Sequence, residues 1–123
     1  MKLAFKESSV LAVLTAYLEM MMKRGRLSYS RHHPVRPVTR KTSFFGMTDN
    51  RLIFAKIPES QKGAPDLMVY LPGGRTVFVE VKSDCGAQSP DQKQWQRRHE
   101  KLGFKYILVR KLEDLTEVIN PIL

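Results

Sequence analysis

The sequence contains one cysteine, Cys85, and no apolar run long enough to span a membrane. A single cysteine cannot form an intramolecular disulfide, and it excludes a zinc site built from several cysteine ligands. A membrane-spanning helix needs about 20 consecutive apolar residues, so a membrane partner is not indicated either. We therefore expect an intracellular protein of the reducing cytoplasm that is not secreted.

Acidic residues are also scarce. The chain has 21 Lys and Arg against 12 Asp and Glu, a formal net charge of +9. Residues 1–60 hold 11 basic and 4 acidic side chains, and residues 61–123 hold 10 and 8. Seven basic residues and no acid occur from Lys23 to Lys41. Such a one-sided positive field suits a polyanion such as nucleic acid, although an ordinary basic protein without that partner would share the composition.

The length of 123 residues predicts one domain, 1–123, with a single modest core. Apolar residues at helical spacing predict a first helix over 7–23, with Ser8 or Ser9 as its cap and Gly25 as its end. Pro34 and Pro37 break any helix in 27–60, which we expect to be irregular extended chain with a strand near 51–57.

The second half of the chain has clearer signals. Two apolar runs predict strands over 66–71 and 76–82 around a Pro-Gly-Gly-Arg turn, and 104–109 predicts a further strand. The segment from Ser89 to Gln92 combines an N-cap, a proline, an acid and a capping-box glutamine, so it predicts a helix that continues to about Leu102. Apolar spacing over 112–119 predicts a short last helix. The order is therefore α, an uncertain β region, then β-β-α-β-α.

Charged residues interrupt the predicted hairpin. Asp66 follows Pro65, while Glu80 and Lys82 lie two residues apart on the second strand and so point to the same face. This strand is apolar on both faces, and burying a charge is costly unless the charge is paired or binds a metal. The pattern therefore predicts a divalent cation and a phosphodiester substrate.

Hydrolysis of a phosphodiester needs hard oxygen ligands for Mg²⁺ or Mn²⁺ and a group that orients water. Asp66 and Glu80 suit the cation, and the carbonyl of Val81 can supply a third oxygen. Lys82 would contact the scissile phosphate and the attacking water. These are our candidate metal ligands and catalytic residues.

The register of the hairpin decides whether these groups meet. A four-residue loop, 72–75, pairs Asp66 with Val81 and directs the acid to the wrong face. One more residue in the turn pairs Asp66 with Lys82 and brings the three groups together. Alternatively, the bend at Pro65 releases Asp66 from the strand pairing. The sequence leaves these three arrangements open.

Two further residues have alternative interpretations. Glu7 falls on the apolar face of the first helix, where it is either a solvated end residue or a third acid facing the site. Gln92 is either only the partner in the capping box or also a group that reaches toward water or Lys82. For His32 and His33, adjacent positions on a strand argue against joint binding of one ion, and we favour a pair that is either DNA-contacting or simply exposed.

These residues resemble the VRR-NUC (virus-type replication-repair nuclease) domain of the PD-(D/E)xK nuclease superfamily. The matching segments are Gly63-Ala64-Pro65-Asp66, Phe78-Val79-Glu80-Val81-Lys82, Ser89-Pro90-Asp91-Gln92 and an opening Glu7-Ser8-Ser9-Val10. The segment 27–60 matches poorly. The sequence also departs from the family in two ways: Leu11 stands where the family often has Gln after its helix Glu, and the Arg-Asn element usual after the first helix is not evident.

The resemblance implies a restriction-endonuclease-like α/β fold, with a mixed central sheet flanked by helices. It implies that Glu7, Asp66 and Glu80 surround a Mg²⁺ or Mn²⁺ ion, that Lys82 is catalytic and that Gln92 supports the site. It further implies a homodimer that acts as an endonuclease on branched DNA, including four-way (Holliday) junctions, in the nucleoid of a bacterium or as a phage-encoded protein. The expected nucleic-acid contacts are Arg31, His32, His33, Arg36, Arg40 and Lys41.

Two other functions remain open at the level of sequence. One is a non-catalytic DNA-binding module of the same fold, which the intact set of Asp66, Glu80 and Lys82 argues against. The other is a nuclease that acts on RNA or on a short recognition site, since nothing in the sequence specifies how bases would be read.

Overall fold

The computed structural model describes residues 6–32, 38–44, 47–53 and 59–123, with the backbone alone in 38–44 and 47–53. Its elements in chain order are α1 (Glu7–Lys23), β1 (Ser28–Arg31), β2 (Val38–Phe44), β3 (Met47–Ile53), a 3₁₀ turn (Glu59–Gln61), β4 (Leu67–Leu71), β5 (Arg75–Val81), α2 (Pro90–Glu100), β6 (Lys105–Val109) and α3 (Leu112–Ile119). They form two compact units, Met1–His32 with Gly63–Leu123, and His33–Lys62. The single domain expected over 1–123 stays a prediction.

The first unit is built on a four-stranded mixed sheet in the order β1-β4-β5-β6. β4 pairs antiparallel with both β1 and β5, and β5 pairs parallel with β6. Parallel neighbours need a crossover connection, which α2 supplies between β5 and β6. The α/β class and the mixed sheet flanked by helices are confirmed.

The second unit contains β2 and β3 as an antiparallel pair, in which Val38 pairs with Ile53 and Phe44 pairs with Met47. The expectation of irregular chain over 27–60 was wrong, because β1, β2 and β3 all lie there. The strand expected at 51–57 begins earlier, at Met47, and residues 54–58 lie outside the described part of the chain. Pro34 and Pro37 exclude helix but do not exclude strands on either side of them, and this explains the error.

One face of the first sheet carries the main apolar core. Its strand residues alternate along β4 and β5, and α1 and α3 pack against them. The buried members are Val10, Leu14, Leu18, Met21, Leu27, Leu67, Val69, Leu71, Val77, Val79, Val81, Val109, Leu115 and Ile119. Because side chains alternate along a strand, the residues between these valines on β5 point to the opposite face.

The opposite face packs against α2 through aromatic side chains. Phe78, Trp95 and Tyr106 are buried together there, with Phe78 edge-on to Trp95 at a centroid separation of 4.7 Å. His99 is half-buried and stacks on Trp95. Leu102 lies beyond the end of α2 and is 72% exposed.

α1 begins and ends where the sequence predicts, but its cap differs. Lys6 occupies the N-cap position without a side-chain hydrogen bond, in place of Ser8 or Ser9. Gly25 adopts φ +70°, and its N–H donates to the carbonyl of Met22 at 2.9 Å, which ends the helix in the left-handed conformation that glycine favours. No helix within the described ranges is long and apolar enough to cross a membrane.

Candidate active site

The pairing of β4 with β5 brings the two predicted acids together. Leu67 pairs with Val79 and Leu71 pairs with Arg75, so the turn has three residues, 72–74. Asp66 lies one residue before this pairing begins, close enough to Glu80 for its charge to raise the pKa of the Glu80 carboxyl. The loops of four and five residues considered from sequence are therefore one and two residues too long, respectively. Asp66 precedes the first residue of β4, as the alternative with a bend at Pro65 has it.

Main-chain groups hold Asp66 in place. Its Oδ2 accepts a hydrogen bond from the N–H of Val81 at 2.8 Å, and its carbonyl accepts one from the N–H of His32 at 2.9 Å. The preceding residue, Pro65, is fully buried. Because these partners are backbone atoms of β5 and of the chain after β1, the sheet itself orients the Asp66 carboxylate.

Glu80 is the buried acid of the site, with 1% of its surface exposed. Its Oε1 accepts a hydrogen bond from Nε2 of Gln92 at 2.7 Å and lies 3.4 Å from Nζ of Lys82. Its Oε2 is buried and has no hydrogen-bond partner among the described residues. A buried carboxylate oxygen without a donor is costly, which makes this atom the best candidate in the site for binding a cation.

The electrostatics of Glu80 follow from this burial. Loss of solvation, followed by the nearby charge of Asp66, raises the pKa of the Glu80 carboxyl to about 8 against the opposing effect of Lys82. The ionised form of this carboxyl is therefore disfavoured even with the Lys82 ammonium 3.4 Å away. A carboxylate pair of this kind is typical of functional sites.

Lys82 supplies a positively charged side chain beside Glu80. It directly follows β5, its N–H donates to the carbonyl of Val109 at 2.9 Å, and its side chain is only 12% exposed. Glu80 and Lys82 lie on the α2 face of the sheet, as the alternation along the strand predicts. A lysine held this close to a buried acid presents a positive charge at the edge of the carboxylate pair.

Gln92 is the partner in the capping box and also contacts an acid of the site. Its Oε1 accepts a hydrogen bond from the N–H of Ser89 at 2.8 Å, and the hydroxyl of Ser89 accepts one from the N–H of Gln92 at 3.2 Å. This completes the capping box of α2 and turns the Nε2 end of the amide toward Glu80. The amide reaches Glu80, and not Lys82 as considered from sequence.

Gly63 allows the loop before Asp66 to approach this helix start. It adopts φ +74°, and a Cβ at this position would overlap the carbonyl group of Asp91 and lie 2.6 Å from the amide nitrogen of Gln92. No side chain fits between these backbones, so glycine is required by contact as well as by conformation. The Gly-Ala-Pro-Asp segment is thereby seated on the first turn of α2.

Glu7 lies apart from this arrangement in the described structure. It is exposed in the first turn of α1, the helix that packs on the face of the sheet opposite Glu80. Within the described ranges, no three His, Cys, Asp or Glu side chains are grouped as a metal site. A cation here would thus rely on Asp66 and Glu80 together with backbone oxygen, and the roles of Glu7 and of the Val81 carbonyl stay predictions.

The expected nucleic-acid contacts fall in several places. Arg31 is exposed at the end of β1, and His32 is half-buried beside it. Arg40 pairs with Arg51, and Lys41 with Asn50, in the backbone register of β2 and β3. His33 and Arg36 lie outside the described residues. None of these contacts is tested by the structure alone.

Tyr106 was not identified from sequence as part of this region. Burial, and next the charges of Glu80 and Asp66, raise the pKa of its phenol, while a hydrogen bond from Gln88 opposes them. Nε2 of Gln88 donates to the Tyr106 hydroxyl at 3.3 Å and to Oε1 of Gln96 at 2.9 Å. No spacing in the sequence signals this network, because its members come from a loop, a helix and a strand.

Comparison with known proteins adds one finding. The model of a protein family described as the VRR-NUC domain matches residues 41–111, more than half of the chain. The matched range contains Asp66, Glu80, Lys82 and Gln92, begins within the segment whose motifs resembled the family poorly, and does not reach Glu7. No curated protein and no solved structure matches the chain.

Proposed function

Because the chain belongs to the VRR-NUC family, and is therefore a nuclease-type protein with DNA as its implied substrate, we propose a more specific activity. The protein is a Mg²⁺- or Mn²⁺-dependent endonuclease that hydrolyses phosphodiester bonds of branched DNA, such as four-way (Holliday) junctions, and it acts as a homodimer. The observation that carries this proposal is the buried Glu80 carboxylate, which lies beside Asp66 and Lys82 and has one oxygen without a donor among the described residues.

The residues fit a divalent cation. Mg²⁺ and Mn²⁺ prefer oxygen ligands, and a cation beside Oε2 of Glu80 would satisfy the buried atom that has no partner in the described part of the chain. It would also lower the energy of the ionised form of a carboxyl whose pKa is otherwise raised to about 8. Asp66 and Glu80, with the Val81 carbonyl as the predicted third oxygen, would hold the ion.

When bound, the ion would supply charge neutralisation on the phosphate and activation of water. The chain's own residues have separate tasks. Lys82 places its ammonium at the edge of the carboxylate pair, where it can stabilise charge on a phosphoryl oxygen and orient the attacking water. Gln92 holds Oε1 of Glu80, and the Val81 N–H holds Asp66, so both carboxylates are fixed before substrate arrives.

The preference for branched DNA rests on symmetry and charge. A net charge of +9 favours a polyanion, and nothing in the described site indicates a pocket for reading bases. In a two-fold dimer the same site occurs twice, which suits a junction whose opposing strands are related by the same symmetry. The predicted contacts from Arg31 to Lys41 would then lie on the DNA arms.

Cleavage of labelled four-way junction, splayed-arm and linear duplex DNA with Mg²⁺, Mn²⁺ or EDTA tests the proposal. We expect metal-dependent cutting of the junction that Lys82→Ala abolishes while DNA binding persists. Lys105→Ala is the matched control, because it removes an exposed lysine at the start of β6 and leaves the site intact.

Each other outcome has a defined meaning. Binding without cutting under every metal would favour a non-catalytic module of the same fold. Equal cutting of the linear duplex would remove the selectivity for branched DNA, and cutting of RNA or of one short sequence would replace the substrate. Light scattering of the purified protein tests the homodimer separately from the chemistry.

A further inference from the structure

The outward face of α2 carries a row of cations that the candidate active site does not use. Lys93, Arg97 and Lys101 follow one another at intervals of four residues, and all three are exposed. Residues at this spacing lie on one side of a helix. The buried residue of the same helix, Trp95, is on the opposite side, where it packs against Phe78.

These cations have no acidic partners within the described residues. The ion pairs formed there are those of Lys62 with Glu59 and of Lys82 with Glu80. Glu100 is the acid nearest in sequence to this row, and it makes no ion pair with it in the described part of the chain. Exposed lysine and arginine side chains that are not already paired can bind an anion without first giving up a contact.

A cleft beside the row is also cationic. It has a volume of about 490 Å³ and is lined by Gln94, Arg97, Arg98, Lys101 and Leu102. An arginine offers a planar fork of donors to a phosphate, and a neighbouring lysine adds a point charge. The two arginines and Lys101 therefore place hydrogen-bond donors and positive charge for phosphate oxygens at this cleft.

The row begins at the active site. Lys93 directly follows Gln92, whose side chain holds Glu80. An α-helix rises 1.5 Å per residue, so Lys93 and Lys101 are separated by roughly 12 Å along the axis. One strand of B-DNA carries a phosphate about every 3.4 Å along its axis, so this distance spans about three or four phosphates.

We infer that the outward face of α2, formed by Lys93, Arg97 and Lys101 with Arg98 beside them, binds the phosphate backbone of the duplex next to the cleavage site. This inference rests on the proposed function, since it assumes DNA as the substrate. It adds a second group of contact residues to those predicted between Arg31 and Lys41. The contact is to phosphates, so it would be independent of base sequence.

The test is a triple substitution, Lys93→Ala, Arg97→Ala and Lys101→Ala, measured for binding in the Lys82→Ala background so that the junction is not cut. Alanine is a good helix former, so α2 should remain folded, which circular dichroism can check. Fluorescence anisotropy at a series of salt concentrations gives the slope of log K against log salt. Losing three phosphate contacts should make the slope shallower by about 2 to 3, since each contact contributes about 0.9.

The control is a second triple substitution, Lys6→Ala, Arg75→Ala and Lys105→Ala. It removes the same charge from exposed positions outside α2 and outside the run from Lys23 to Lys41, so the two variants have equal net charge. We expect the control to retain most of the slope. An unchanged slope in the α2 variant, or an equal change in both variants, would overturn the inference, because the effect would then be absent or due to net charge alone.

Cleavage by the same α2 variant with Lys82 intact supplies a second readout. Loss of a binding surface should raise KM and leave kcat near that of the parent, whereas damage to the site would lower kcat. If the parent protein does not bind junction DNA at all, the proposed function fails together with this inference. If the parent binds and cuts but the α2 variant does so with the same KM and slope, the inference alone fails.

Discussion

Replacing Gly63 by alanine should damage the site although the residue carries no functional group. A Cβ at Gly63 would overlap the carbonyl of Asp91 and press on the amide of Gln92, so the loop and the first turn of α2 must separate. Gln92 would then move relative to Glu80 and weaken the 2.7 Å hydrogen bond that Nε2 of Gln92 donates to Oε1 of Glu80. We expect Gly63→Ala to lower both stability and kcat.

The size of the effect can be divided into two parts. Gly63 has φ +74°, and placing an L-residue in this conformation costs about 1–2 kcal/mol. Forcing an extra methyl into an occupied space costs a further amount of about 1–3 kcal/mol. Gly25 offers a matched control, because it has φ +70° and a methyl group added to its Cα would meet nothing within 4 Å among the described residues. Gly25→Ala should therefore show the first cost alone.

Urea unfolding followed by circular dichroism measures both variants under identical conditions. The free energy of unfolding should fall by about 2–5 kcal/mol for Gly63→Ala and by about 1–2 kcal/mol for Gly25→Ala. Equal losses in the two variants would refute the close approach of the loop to α2. A larger loss in Gly63→Ala with unchanged kcat would refute the link from this contact to Glu80.

Two further predictions concern Glu80 and its partner. In metal-free folded protein, the pKa of the Glu80 carboxyl is about 8, against an ordinary value of 4.5 that we take for the unfolded chain. Because the folded state binds this proton more tightly, the free energy of unfolding should fall as pH rises from 4.5 to 8, by at most about 1.4 kcal/mol per pH unit. Urea unfolding at pH values near the two ends of this window should show this slope in the parent and not in Glu80→Gln, and a slope retained in the variant would assign it to another group. Gln92→Glu keeps an oxygen for the N–H of Ser89 but replaces the donor to Glu80, so helix content should persist while cleavage falls. Unchanged cleavage in Gln92→Glu, measured beside the parent, would show that the amide is only a cap.

The sequence predicted the acids of the site better than it predicted their alignment. Asp66, Glu80 and Lys82 stood out because charges interrupt a strand that is apolar on both faces. Their alignment depends on the length of the turn after Leu71, and a Pro-Gly-Gly-Arg segment is compatible with three, four or five residues in that turn. Local chemistry near the turn does not settle the pairing of residues five positions away.

Long-range contacts account for the remaining differences. The capping box at Ser89 is local, so its prediction succeeded, but the reach of Gln92 to Glu80 depends on how α2 crosses the sheet. The strand β1 was not foreseen because its signals are weak: the four residues Ser28–Arg31 include two serines and an arginine. It is a strand because it pairs with β4, with Ser28 opposite Tyr70, and this long-range pairing has no local signal in the sequence.

The single amide of Gln92 joins the beginning of a helix to the buried acid of the site. Helix ends fray, and each opening of the first turn of α2 would release Oε1 of Glu80 along with the N–H of Ser89. If Gln92 supports the site as we propose, the closed population of this one helix turn would limit the fraction of molecules able to act. Hydrogen exchange at the amide of Gln92, which the Ser89 hydroxyl protects, would report that population directly.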